Sequence, residues 1–182
     1  MEFEPTRLPE VVLIRPRVFA DARGYFFESW QQQRFAAAGI DAPFVQDNHS
    51  HSVRFTLRGL HYQLRHPQGK LVRVTRGEVF DVAVDLRRGS EHFGHWVGVH
   101  LSDANHHLLW VPPGFAHGYL ALSAEVDLLY KCSDVYAPEH ERCIRWDDAQ
   151  LGVRWPLPPG AAPLLSPKDA AASAFADAET YP

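Results

Sequence analysis

A chain of 182 residues can bury roughly 70% of its unfolded surface in one hydrophobic core. Its 18 lysines and arginines against 22 aspartates and glutamates give a formal charge of −4, which argues against a general nucleic-acid or polyanion surface. No segment approaches the ~20 apolar residues of a membrane span, and the N-terminus lacks the pattern of a secretion signal. We therefore expect one cytoplasmic domain over residues 1–182, with no nucleic-acid or membrane partner and with Cys132 and Cys143 as free thiols.

Short segments of alternating apolar and polar residues, bounded by turn residues, predict a mainly β protein. In chain order, the predicted strands cover residues 11–14, 71–74, 79–86, 96–101, 107–111, 118–122 and 126–131. Their spacing of roughly 8–12 residues is typical of a sandwich or a barrel. The clearest pattern flanks Gly77 and predicts a β-hairpin, in whose second strand Phe80 and Val82 face one way and Asp81 faces the other.

Two short peripheral helices are predicted to interrupt the strands. Ser29 and Gln32 have the spacing of a capping box, and Gly39 marks the end of a helix over residues 30–38. Near the C-terminus, Ser166 is the expected N-cap of a helix that has Asp169 in its first turn and continues through an alanine-rich stretch to residue 178.

The most informative motif is Arg-Gly-Leu-His-Tyr-Gln at residues 58–63, with Lys70 shortly after it. An imidazole titrates near neutral pH, so His61 can act as a base. Arg58 and Lys70 can bind phosphate or stabilise an oxyanion. Proton abstraction next to a carbonyl fits this set, although the same residues also occur on half-exposed strands that simply face water.

The histidine pair His49 and His51 has the spacing of metal ligands on one side of an extended strand. Metal-binding cupins add a glutamate a few residues later, but Phe55 and Thr56 stand there. His117 could supply a third ligand only through folding. We expect no metal, and we interpret these histidines as polar or substrate-facing side chains.

Nine motifs occur in an order that is specific to one family. They read PRVF (16–19), RGYFFE (23–28), FVQDNHS (44–50), LRGLHYQ (57–63), KLVR (70–73), PPGFAHG (112–118), LLYK (128–131), RWDD (145–148) and LSPKD (165–169). Over nearly its full length the chain resembles the dTDP-4-dehydrorhamnose 3,5-epimerase family. The resemblance implies a cupin-like double-stranded β-helix (jelly roll), a homodimer and an isomerase that needs no cofactor.

The activity that the resemblance implies is conversion of dTDP-4-dehydro-6-deoxy-D-glucose to dTDP-4-dehydro-L-rhamnose, by epimerisation at C3 and C5. The matched positions give His61 as the base, Asp169 as the carboxylate that holds it and Tyr130 as the proton donor on the opposite side of the sugar. Lys70 is expected to stabilise the enolate oxygen. Without the resemblance, Asp169 would be read as an ordinary first-turn carboxylate and Tyr130 as a half-buried aromatic residue.

Further matched positions are expected to bind the nucleotide sugar, which combines a diphosphate, a hydroxyl-rich ring and a flat base. They are Arg23, Glu28, Gln46, Asp47, Asn48, Arg58, His117, Glu141 and Lys168, with Phe19 and Phe26 for the base. In the family, part of the N-terminal segment reaches the partner's active site.

Several alternatives remain open at this stage. The chain could be an epimerase that acts at C3 or C5 only, or a related-fold ketoisomerase that moves the carbonyl from C4 to C3. It could also be a non-catalytic sugar-nucleotide binding module. A metal-dependent cupin enzyme is a further possibility, which predicts that a chelator abolishes activity.

Overall fold

Two antiparallel sheets face each other and enclose the main core of the molecule. The computed structural model describes all 182 residues. The strands are β1 (Glu2–Pro5), β2 (Val12–Arg15), β3 (Phe19–Asp21), β4 (Gly24–Phe26), β5 (Gln46–Val53), β6 (Leu57–Gln63), β7 (Lys70–Arg76), β8 (Glu78–Asp85), β9 (Trp96–Ser102), β10 (Leu108–Val111), β11 (Phe115–Ala121), β12 (Glu125–Cys132) and β13 (Glu141–Cys143), and the helices are α1 (Gln32–Ala37) and α2 (Pro167–Ala170). No helix is long and apolar enough to span a bilayer.

The strand order is β1-β2-β10-β7-β12-β5 in one sheet and β13-β6-β11-β8-β9 in the other. Strands β3 and β4 form a separate two-stranded hairpin. Neighbours within each large sheet are mostly distant in the sequence, as in a jelly roll, where successive strands cross from one sheet to the other. The prediction of a mainly β, cupin-like fold with short helices is confirmed.

Side chains from both sheets fill the space between them. Val72 of β7 and Leu128 of β12 belong to the same buried cluster as Val79 and Ala83 of β8. A second cluster covers the outer face of the five-stranded sheet with residues of the C-terminal segment, including Phe175. Strand β8 is therefore buried on both of its faces, which explains why its alternation separates apolar residues from small or acidic ones.

The predicted hairpin around Gly77 is wrong. Strand β7 pairs with β10 and β12, whereas β8 pairs with β9 and β11 in the opposite sheet. The alternation identified both strands correctly, but it carries no information about pairing partners. Gly77 has a φ of 76°, and a Cβ there would lie 2.3 Å from the Glu125 carbonyl oxygen, so glycine allows a tight connection between the sheets.

Helix α1 differs from its prediction at the N-terminus. It begins at Gln32, and the Gln31 side chain accepts a hydrogen bond of 2.6 Å from the Arg34 N–H, so the predicted cap at Ser29 is wrong. A glutamine oxygen satisfies the free N–H here because the chain before Gln32 is extended. Gly39 follows the helix with a φ of 85°, as predicted.

Helix α2 begins as predicted but is much shorter. Ser166 caps it, and the helix ends at Ala170. The chain then turns, so that the Ser173 N–H bonds to the Cys143 carbonyl and Phe175 packs against the five-stranded sheet. These tertiary contacts outweigh the helix propensity of the alanines, so the predicted continuation of the helix is wrong.

Strands β6 and β11 approach each other unusually closely, next to the Arg58 to Gln63 motif. A Cβ atom on Gly59, which has a φ of 135°, would lie 2.5 Å from the Cα atom of Gly118. Only glycine can occupy such a position. Two residues later, His61 is paired with His117 across the ladder.

Candidate active site

A cavity of about 280 Å³ opens between the two sheets. Its walls are formed by Gln46, Asn48, His61, Tyr62, Gln63, Gln68, Lys70, Tyr130, Tyr136 and Glu141. His61 comes from β6 of the five-stranded sheet, whereas Lys70 and Tyr130 come from β7 and β12 of the six-stranded sheet. An imidazole and a phenol therefore reach the same cavity from opposite walls.

His61 is held by Asp169, which lies 108 residues further along the chain. The distance from His61 Nε2 to Asp169 Oδ1 is 2.5 Å, and the Asp169 side chain is 3% exposed. Ser166 donates its hydroxyl proton to Asp169 Oδ2 over 2.7 Å, while the Asp169 N–H bonds to Ser166 Oγ in the cap of α2. A proton held on Nε2 by the carboxylate leaves the Nδ1 lone pair of His61 available as a base.

The surroundings of Asp169 keep this carboxyl group ionised. Burial alone would raise its pKa, but hydrogen bonds from His61 and Ser166 outweigh burial and lower the pKa to about 2. A carboxylate with a pKa below its unfolded value stabilises the fold above about pH 4, and this contribution disappears as the pH falls towards about 2.

Replacing this carboxylate should flatten the acid dependence of stability. We expect the difference in free energy of unfolding between the wild type and Asp169→Asn to be about 1 kcal/mol smaller at about pH 3 than at about pH 5. Urea denaturation at the two pH values measures it. Asp41→Asn, which replaces an exposed carboxylate, serves as the control. An equal difference at both pH values would contradict the ionised, hydrogen-bonded state of Asp169.

Tyr130 and Lys70 place a phenol and an amine on the opposite wall of the cavity. Burial raises the pKa of Tyr130 to about 12, so its hydroxyl keeps its proton throughout the neutral range. Burial lowers the pKa of Lys70, against the opposing effect of the nearby Cys132, Glu141 and Asp81. An ammonium group in such a site gains strongly from a negative charge that develops beside it.

The other matched residues of β5 divide between its two faces. Gln46 and Asn48 line the cavity and are hydrogen-bonded to each other over 3.1 Å. Asp47 points the other way, into a separate pocket, and forms an ion pair of 3.0 Å with Lys131. At the rim of the His61 cavity, Glu141 accepts a hydrogen bond of 2.7 Å from Tyr136.

Sequence reasoning missed a second, buried histidine–carboxylate pair. His117 Nε2 lies 2.8 Å from Asp81 Oδ1, and the two side chains are 8% and 0% exposed. The other carboxylate oxygen of Asp81 is buried without a hydrogen-bond partner. The sequence signal for this pair was the alternation in β8, which puts Asp81 on the face opposite Phe80. In the structure that face lies between the two sheets.

The N-terminal candidates lie outside the cavity of their own chain. Phe19, Arg23 and Phe26 are on the exposed β3–β4 hairpin, where Phe26 is 70% exposed. Glu28, just after the hairpin, lies 3.1 Å from Arg34.

Arg58 lies near the start of β6 and forms hydrogen bonds with β5, the preceding strand, which belongs to the six-stranded sheet. Its guanidinium donates to the His51 carbonyl over 3.0 Å and to Ser52 Oγ over 3.2 Å. It is close enough to Tyr130 to oppose the rise in the pKa of that phenol. Lys168 of α2 forms an ion pair with Glu141.

The His49 and His51 pair faces outward, away from the cavity. Both rings contact Asp127 on the neighbouring strand β12, at 3.4 Å and 2.9 Å. The prediction that they share one side of a strand is confirmed, and a carboxylate is their partner.

Comparison with known proteins agrees with this geometry. The family model described as dTDP-4-dehydrorhamnose 3,5-epimerase matches residues 5–177. A dTDP-4-dehydrorhamnose 3,5-epimerase of Pseudomonas aeruginosa is 59% identical over 176 residues, which are 96% of each chain. The structure of a Legionella pneumophila 3,5-epimerase in complex with dTDP-4-keto-L-rhamnose superposes with a TM-score of 0.94 at 50% identity, covering 98% of this chain and 94% of that one.

A more distant relative carries out a different reaction on the same fold. A 3'-monoepimerase of Streptomyces bikiniensis, solved in complex with dTDP-quinovose, has a TM-score of 0.88 at 33% identity and covers 94% of this chain and 87% of that one. Fold and cavity together define a cupin-like isomerase. The chain belongs to the dTDP-4-dehydrorhamnose 3,5-epimerase family.

Proposed function

We propose that this protein converts dTDP-4-dehydro-6-deoxy-D-glucose to dTDP-4-dehydro-L-rhamnose by successive inversion at C3 and C5. The observation that carries the proposal is one cavity lined by His61 from one sheet and by Tyr130 from the other. A relative with 50% identity was solved with dTDP-4-keto-L-rhamnose bound, which supports this substrate class.

The chemistry needs a base, an acid and a cation, and no redox step. The hydrogens at C3 and C5 are acidic because each carbon is adjacent to the C4 carbonyl. When His61 takes such a proton, the electron pair of the C–H bond moves to the carbonyl oxygen as an enolate, and Lys70 balances the charge. Tyr130 then donates its proton to the other face of the carbon and is reprotonated from solvent, while His61 releases the proton that it took to solvent and is ready for the second carbon.

Asp169 has a positioning role in this scheme. It bonds the Nε2 side of the imidazole and stabilises the imidazolium that forms when the proton is taken. Its low pKa means that it accepts hydrogen bonds as an anion throughout the working pH range.

We assign the remaining matched residues to substrate binding. Gln46, Asn48 and Glu141 line the cavity and can bond the sugar or its linker, and Arg58 provides a cation for the diphosphate. Lys168 and His117 contribute indirectly, by holding Glu141 and Asp81 in place. Asp47 contributes from the separate pocket on the outer face of β5.

We also propose a cytoplasmic, single-domain protein that works as a homodimer. Phe19, Arg23, Phe26 and Glu28 lie outside their own cavity, so the exposed hairpin is available to a second copy of the chain. Exposed aromatic residues next to an arginine suit a nucleobase and a diphosphate. Sedimentation of the protein at micromolar concentration tests the dimer, and a monomer would contradict it.

Incubation of the enzyme with its substrate in D₂O tests the reaction. Deuterium at both C3 and C5, with the L-rhamnose configuration by NMR, is the expected result. The specific alternative is epimerisation at one carbon, favoured by the similarity to a 3'-monoepimerase, and it predicts that hydrogen is retained at the other carbon. Tight binding without exchange would support a binding module, and loss of activity in chelator would support a metal-dependent enzyme.

A further inference from the structure

One nucleophilic side chain beside the catalytic pair has no part in the proposed reaction. Cys143, the last residue of β13, has its Sγ atom 3.6 Å from Asp169 Oδ1. The ligating atoms of His61, Cys143 and Asp169 all lie within 4.8 Å of one another. Strand β13 pairs with β6 in such a register that Cys143 stands directly opposite His61.

We propose that His61, Cys143 and Asp169 form an inhibitory site for a thiophilic divalent cation, with Zn²⁺ as the best match. The inhibitory effect rests on the proposed function, because it depends on His61 being the base. A cation bound to His61 Nε2 displaces the proton from that nitrogen to Nδ1, so Nδ1 no longer has a free lone pair and proton abstraction stops. No metal takes part in the proposed reaction, so this site is distinct from that of a metal-dependent cupin.

The donor set fits zinc better than other common cations. Zn²⁺ is bound tetrahedrally by thiolate sulfur at about 2.3 Å and by imidazole nitrogen or carboxylate oxygen at about 2.0–2.2 Å, often with three protein ligands and one open position. These bond lengths put neighbouring donors roughly 3.3–3.6 Å apart. The 3.6 Å separation of Cys143 Sγ from Asp169 Oδ1 already meets this requirement. The 2.5 Å separation of His61 Nε2 from Asp169 Oδ1 must widen by roughly 0.8 Å for one ion to bind both atoms.

Charge and access also favour a cation. Asp169 is ionised, and the carboxylate of Glu141 lies close to His61, although Lys168 partly neutralises it. Burial raises the pKa of Cys143 to about 12, so the free thiol is protonated. On binding, the S–H bond breaks, the proton passes to solvent and an S–Zn bond forms, with no change of oxidation state. Cys143 lines a surface pocket next to the C-terminal segment, which gives the ion a path to the site.

A rival site exists on the outer face of β5. His49 and His51 share Asp127 as a partner. Their side chains are 61% and 52% exposed, and no thiol is near them. Occupancy there would leave the His61 cavity untouched. The two sites therefore make opposite predictions for variants.

The test uses initial rates at buffered free Zn²⁺ concentrations and an optical titration with Co²⁺. We expect Zn²⁺ to inhibit the wild type and a chelator to restore the rate. Relative to each variant's own rate without metal, Cys143→Ser should raise the half-inhibitory concentration at least about tenfold, since even residues that only support a ligand change metal affinity by 10–100-fold. His51→Asn is the matched control, and Zn²⁺ should inhibit it at the same concentration as the wild type.

Co²⁺ gives a readout that does not depend on turnover. The wild type should show thiolate-to-cobalt charge-transfer absorption, which Cys143→Ser and Cys143→Ala lose and which Cys132→Ser keeps. Equal inhibition of the wild type and Cys143→Ser, or relief by His51→Asn instead, would overturn the proposal, as would absence of the absorption band in the wild type. The deuterium experiment is independent of the metal, so a failure of the proposed function would be seen there and not in the cobalt spectrum.

Discussion

Replacing His61 with alanine is expected to lower the rate of proton exchange at both C3 and C5 by about 10³-fold, within the 10²–10⁴-fold range of general acid–base catalysis. The reason is that one base removes both protons in the proposed reaction, and the cavity contains no other histidine. The measurement is the rate of deuterium incorporation into the substrate in D₂O, followed by NMR at each carbon.

The matched control for this variant is His49→Ala. His49 is 61% exposed and faces away from the cavity, so its loss should leave both exchange rates within about threefold, as for an ordinary surface substitution. Exchange that persists at the wild-type rate in His61→Ala would show that another group is the base. Loss at only one carbon would mean that the two inversions use different bases.

Replacing Tyr130 with phenylalanine should separate proton removal from inversion. His61 still takes the proton and can return a deuteron to the same face, so exchange with retention should fall by less than about tenfold. Inversion needs a donor on the other face, and we expect the rate of product formation to fall by about 10²-fold or more. Parallel measurement of deuterium content and product configuration gives the two rates from one sample.

Tyr119→Phe is the control for this experiment. Tyr119 is also a buried phenol between the sheets, and its hydroxyl bonds to Ser50 and Ser52, so this variant removes a similar group without removing the proposed acid. It should leave the ratio of exchange to inversion unchanged. If Tyr130→Phe lowered both rates equally, Tyr130 would have a role in binding or proton removal and not in protonation of the opposite face.

The strands could be predicted from the sequence more reliably than their arrangement. Alternation is a local property, and it identified β8 correctly because its two faces bury different kinds of side chain. Pairing depends on contacts between distant segments, so the apparent hairpin at Gly77 is in fact a crossing between sheets. The short strands β1, β3, β4 and β13 carry too few residues for a periodic signal, and β5 and β6 are not among the strands predicted from alternation.

The helices show the same limit at smaller scale. The Ser166 cap and the glycine after α1 are local signals, and both were predicted correctly. The length of α2 is set by the packing of Phe175 against the five-stranded sheet, which the alanine-rich sequence does not reveal.

The candidate site was accessible mainly through the order of the family motifs. No local pattern could join His61 to Asp169, because 108 residues separate them and the contact depends on where α2 docks. Strand register brings Asp81 and Cys143 close to the site, and the capping of α2 brings Ser166 there. The fold therefore adds the partners of the reactive residues, whereas the sequence identifies the reactive residues themselves.

A crystal structure of the protein with its bound nucleotide sugar tests the central claim most directly. We predict that the hexose lies between the two sheets, with His61 and the Tyr130 hydroxyl on opposite faces of the ring and each within about 3.5 Å of the carbon that it serves. A sugar ring with both groups on the same face, or with one of them facing a different cavity, would contradict the account.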